Sequence, residues 1–80
     1  MAHPTAESIG PAGLYALQVM ARLGGEILID LSEGDRSQAA AFLLLTLADD
    51  GCCRHEPAGY IAGFVLTDIG WRIATGGSVH

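Results

Sequence analysis

The chain of 80 residues contains no lysine, and its cations are Arg22, Arg36, Arg54 and Arg72, spread thinly along it. A protein that grips a nucleic-acid backbone needs clustered basic side chains, and no such cluster is present. No apolar run reaches the ~18 residues that span a bilayer. The first residues, MAHPTAES, lack the basic start and apolar centre of a signal peptide, so the expectation is a soluble cytoplasmic protein. The two cysteines, Cys52 and Cys53, are neighbours and cannot close an ordinary intrachain bridge, which fits a reducing compartment. One is expected to face the core and the other outward from a strand. Zinc sites want well-separated ligand pairs, whereas Cys52, Cys53 and His55 are crowded together and His3 and His80 lie at the far ends, so no metal is expected. A thiol paired with His55 lacks a third residue to orient it. The glycines carry no phosphate-loop signature. No internal repeat, linker or catalytic motif is present, so neither an enzyme nor a cofactor is expected.

What is there points to a folded domain. Half of the residues are hydrophobic, although a chain this short buries only roughly 60–65% of its surface on folding. One domain over residues 1–80 is expected, with 1–9 and 76–80 as tails. Charge is the more telling part. Glu26, Asp30, Glu33, Asp35, Asp49 and Asp50 face only Arg36 across residues 26–50, so the whole net charge of −5 lies in that window. Such a region repels nucleic acid and attracts basic surfaces, and it also serves simply to keep an apolar small protein in solution. Asp49 and Asp50 stand near a helix C-terminus, where acids oppose the helix dipole.

Residues 35–51, DRSQAAAFLLLTLADDG, give the clearest element. Asp35 reads as the cap, Gln38 as its reciprocal partner and Gly51 as the left-handed exit. Thr46 is the one polar side chain between residues 39 and 48, and a helix so apolar all round needs cover from this chain or another. A twin burying Leu43, Leu44 and Leu47 would make a homodimer. A first helix starts at Pro11 and stops at Gly24-Gly25. Residues 26–33, EILIDLSE, read as a strand at the start or as a short helix; in either form several carboxylates share a face. Residues 56–59 are turn chemistry, and residues 60–67 read as a strand apolar on both faces, making a hairpin with the segment before it. Thr67 caps a last helix, from which Trp71 and Ile73 pack inward; Tyr60 and Trp71 either close the core there or anchor an interface.

The order is helix, short element, helix, hairpin, short helix: a small α+β domain of about three helices with a β-hairpin. It resembles the winged-helix family over residues 12–74, on the strength of Leu47, Gly51, Leu66, Thr67 and Gly70. These match the family's Leu-x-x-x-Gly helix ending and the Leu-Thr-x-x-Gly opening after the wing. The resemblance implies DNA binding through the helix before the wing. That helix here offers only Arg36, Ser37 and Gln38 as base readers, and the wing offers Arg54, His55 and Glu56. In length, acidity and want of an active-site motif the whole chain is similar in general character to small phage-encoded anti-CRISPR proteins. Several of those block the DNA-binding surface of a surveillance complex. That resemblance implies a type I complex subunit with a lysine-rich groove as partner, contacted by Glu26, Asp30, Glu33, Asp35, Asp49 and Asp50, with no direct nucleic acid and no membrane. A winged-helix transcriptional regulator is the alternative.

Overall fold

Thr5 starts the first helix, and it does so earlier than Pro11. In the computed structural model, which describes residues 4–76, α1 spans Ala6–Arg22. The Thr5 side chain accepts from the Ser8 amide at 3.1 Å, and the Ser8 hydroxyl accepts from the Thr5 amide at 2.8 Å. Two orphan amides are thereby satisfied reciprocally. Residues 6–9 are thus a capped helical turn and not a tail; serine in place of the usual Glu or Gln hid the box. Gly10, at φ 79, breaks the helix before Pro11, where a proline would otherwise cost a backbone bond. Residues 1–3 and 77–80, with His3, His80 and parts of both expected tails, lie outside the described residues.

The ambiguous segment is both things in turn. Glu26–Asp30 is strand β1, and Leu31–Glu33 is a single 3-10 turn capped by the Asp30 carboxylate. Helix α2 then spans Asp35–Asp49. Its cap is Gly34, at φ 118, with no side-chain bond. Asp35 already sits in the first helical turn, and Gln38 turns its amide back to the Leu31 carbonyl at 3.3 Å. The expected Asp35–Gln38 capping box is therefore absent. The exit is as expected: Gly51, at φ 83, donates to the Ala48 carbonyl, and Cys52 donates to Leu47. This pair of bonds satisfies the last carbonyls of α2.

Strands β2 (Cys53–Ala58) and β3 (Ile61–Leu66) form the hairpin. Residues 56–58, read as turn, are strand; the turn is Gly59-Tyr60, with Gly59 at φ 64. The sheet is antiparallel in the order β1-β3-β2, and α3 (Asp68–Ala74) follows β3. Three helices with this sheet make a small α+β fold compatible with a winged-helix-like arrangement. The helical alternative for residues 26–33 survives only as the three-residue 3-10 turn ahead of α2. Among the described residues no helix is long and apolar enough to cross a membrane.

One face of the sheet carries the core. Ile29, Ala62, Phe64, Leu66 and Cys53 meet Leu17 and Met20 of α1, Ala41, Leu44 and Leu47 of α2, and Ile73 of α3. Burying Phe64, Leu17, Met20 and Leu47 fully contributes about 1.5–3 kcal/mol each. The opposite face of the sheet has no helix packed on it; Leu28 there lies over Gly63 and is exposed.

Two glycines are set by close approach. A Cβ on Gly25 would fall 2.5 Å from the Trp71 ring, so the indole packs along the backbone there, with 37% of its surface still exposed. A Cβ on Gly70 would overlap the Cys52 carbonyl oxygen. Ordinarily Gly→Ala inside a helix gains up to about 1 kcal/mol. Gly70→Ala should instead lose about 3 kcal/mol or more, because the obstacle is backbone. Urea denaturation followed by Trp71 fluorescence reads this directly.

Candidate functional site

Helix α2 keeps an exposed face that is apolar at its middle. Its buried stripe is Ala41, Leu44 and Leu47. On the exposed side Phe42 is 73% and Leu45 38% accessible, with Ala39 and Thr46 beside them. The chain covers only one stripe of this apolar helix. Of Leu43, Leu44 and Leu47, expected to be buried by a twin, Leu44 and Leu47 are already in the core and only Leu43 is left half-buried; the exposed large side chains of α2 are Phe42 and Leu45.

Phe42 and Leu45 form one wall of a shallow groove of about 240 Å³, with Leu31, His55 and Pro57 opposite. His55 stacks on Phe64 across the hairpin, with ring centroids 5.0 Å apart. A second groove, of about 300 Å³, runs between α1, β1 and α2 along Val19, Ile27 and Leu43. A third, of about 390 Å³, separates the start of α1 from α3, with Arg72 at its edge. None of the three brings a nucleophile and a base together. Among the described residues no group of three His, Cys, Asp or Glu side chains is arranged to hold a metal.

The six acids named from the sequence do not gather into one patch. Glu33 and Asp35 lie at the entrance of α2, Asp49 and Asp50 at its exit, about 21 Å away at 1.5 Å per residue. Glu26 and Asp30 occupy the two ends of β1, on the face of the sheet turned away from α2. Asp30 alone has a defined local role. Its carboxylate accepts from the Ser32 hydroxyl at 2.6 Å and from the Ser32 amide at 2.9 Å, and these bonds, the hydroxyl first, hold its pKa below the usual value.

Among the described residues the cations offer little to a polyanion. Arg54 on the wing is 3.7 Å from Glu56, an exposed pair of small energetic weight. The wing tip, Pro57 to Tyr60, has no charge, and Tyr60 is 77% exposed instead of closing the core. Sequence reasoning singled out the acids but missed Phe42 and Leu45 as site residues. The signal was the helix apolar all round, which fixed that something was uncovered without telling which positions.

Both cysteines are buried; neither faces outward. Cys53 points its thiol at the Leu44 carbonyl, 3.4 Å away. Burial, and then the neighbouring Cys52, push the Cys53 pKa from 9.0 up to about 11; burial, and then Asp50, raise that of Cys52. Both are therefore neutral thiols at physiological pH.

No protein-family profile, curated protein or solved structure matches the chain.

The thiols make a pH prediction. The folded state disfavours the Cys53 thiolate, so this contribution to stability is intact below pH 9.0 and is lost as pH rises through about 11. Thermal midpoints should fall across that interval, and Cys53→Val should remove part of the fall. In the native protein a thiol-trapping reagent should label both cysteines only as fast as the fold opens.

Proposed function

We propose that this protein is a small, acidic, non-enzymatic binding module that docks on a basic, nucleic-acid-binding surface of a protein partner and keeps nucleic acid off it. The observation that carries the reading is the exposed face of α2: Phe42 and Leu45 at its middle, carboxylates at both ends. Base-reading side chains are confined to Arg36, Ser37 and Gln38 in the first turn. A desolvated aromatic anchor inside a charged rim is the common form of a protein interface. The net charge of −5 steers such a surface toward a lysine-rich groove and away from phosphates.

In its most specific form this is anti-CRISPR-like action in the cytoplasm. The partner is then a type I surveillance complex subunit, and target DNA is excluded by occupancy. A winged-helix regulator that binds DNA itself predicts the opposite behaviour in the same assay.

Two measurements test the proposal. In a gel shift at low salt, the protein alone should not retard random duplex DNA, and added to a purified type I complex it should displace bound duplex. Salt-sensitive retardation by the protein alone overturns the reading in favour of the regulator. The substitution Phe42→Ala should change stability by less than about 1 kcal/mol, since that side chain is largely solvated, yet abolish displacement. Reversing Glu33, Asp35, Asp49 and Asp50 to lysine should slow association, most visibly at low salt.

A further inference from the structure

The sheet ends on one side in an unguarded strand. In the antiparallel pairing of β1 with β3, Leu66 donates to the Gly25 carbonyl just before β1, and Leu31 donates to the Tyr60 carbonyl just after it. Antiparallel pairs alternate between hydrogen-bonded and non-hydrogen-bonded. The bonded positions on β1 are therefore Ile27 and Ile29, and the amides and carbonyls of Glu26, Leu28 and Asp30 point to the free edge. No hydrogen bond to these outward groups from another element is present among the described residues.

The other edge is different. Thr67 donates to the Cys52 carbonyl, so Cys53, His55 and Pro57 present the outward groups of β2. Pro57 has no amide to offer, which blunts that edge. On β1 no proline does so: Ile27, Leu28 and Ile29 build the strand between two acidic ends, its outward amides are all present, and Leu28 is 65% exposed at its centre.

The side chains say what fits. Glu26, Leu28 and Asp30 alternate along the uncovered face of the sheet. A second copy paired antiparallel about Leu28 would place Glu26 against Asp30 twice, and like charges directly opposite are unfavourable. A strand with a basic residue at each end and an aliphatic one between meets every position with its complement. We propose that β1 accepts an extended segment of a protein partner with the pattern basic-x-aliphatic-x-basic, added antiparallel as a fourth strand. The surface is separate from the exposed face of α2 and does not depend on the function proposed for it.

The test uses the full chain and a synthetic peptide with blocked ends, Ser-Lys-Thr-Val-Thr-Lys-Ser. Titration followed by amide NMR should show saturable binding, with the Leu28 amide newly protected from exchange. Methylating the peptide nitrogen of the valine, which faces β1, should weaken binding at least about tenfold; methylating a threonine nitrogen, which faces away, should not. Leu28→Pro removes the outward amide without removing a bond to β3, so it should keep the fold and lose the peptide. Glu26→Lys with Asp30→Lys should reject this peptide and take the version with glutamates in place of lysines. Absence of saturable binding to the wild-type chain, or equal binding of the valine-methylated peptide, overturns the proposal.

Discussion

The structure depends on one junction, where the exit of α2 meets the entrance of α3. Gly51 takes the left-handed backbone that lets Cys52 turn back and donate to Leu47. Thr67 then serves both sides. Its hydroxyl donates to the Gly51 carbonyl at 2.6 Å and accepts from the Gly70 amide at 3.2 Å, while its own amide donates to Cys52. The bare Cα of Gly70 lets the Cys52 carbonyl come into contact. Two helix ends, a strand end and a strand start are thereby tied within a few residues of one another. Leu47 and Leu66, both in the core, fasten the knot from beneath. Slipping β3 by one residue would break these bonds and turn Phe64 to the wrong face, so the register is fixed from this end.

The same five residues, Leu47, Gly51, Leu66, Thr67 and Gly70, are those through which the sequence resembled a winged-helix domain. That pattern was legible because it is local chemistry: a left-handed glycine, a threonine cap, and two leucines a fixed distance from them. The less legible elements were governed by contacts distant in sequence. Nothing in EILIDLSE says that β3 will pair with its first five residues and leave the next three to a 3-10 turn. The early start of α1 was missed because Ser8 stands in for the longer acceptor of a capping box. The turn at residues 56–59 was misplaced because Pro57 reads as a turn residue, whereas on an edge strand its missing amide simply points outward.

The candidate site was legible as a charge total and not as a surface. Composition alone shows that the net charge lies in residues 26–50. It cannot show that β1 turns Glu26 and Asp30 to one side of the molecule while α2 holds Asp49 and Asp50 at the other end of its axis. Folding divides one sequence window into separate acidic regions, each bordering an exposed apolar group: Phe42 and Leu45 on α2, Leu28 on β1.

That pairing of acid with exposed apolar side chain bears on why a molecule with seven exposed large hydrophobics among its described residues need not aggregate. Two copies meeting through α2, or edge to edge through β1, would bring like charges into a shrinking, poorly solvated gap. The Coulombic penalty grows as water leaves, which is when the apolar gain would otherwise be collected. A basic partner turns the same term favourable at the same moment. The acids thus need not form a single patch to act together. In the proposed binding mode they act at each apolar site separately, by making the contact unfavourable with a like-charged copy and favourable with a basic surface. Specificity of this kind comes from what the surface repels as much as from what it binds, and α2 contributes to it a middle of alanine, leucine and phenylalanine with acids at either end.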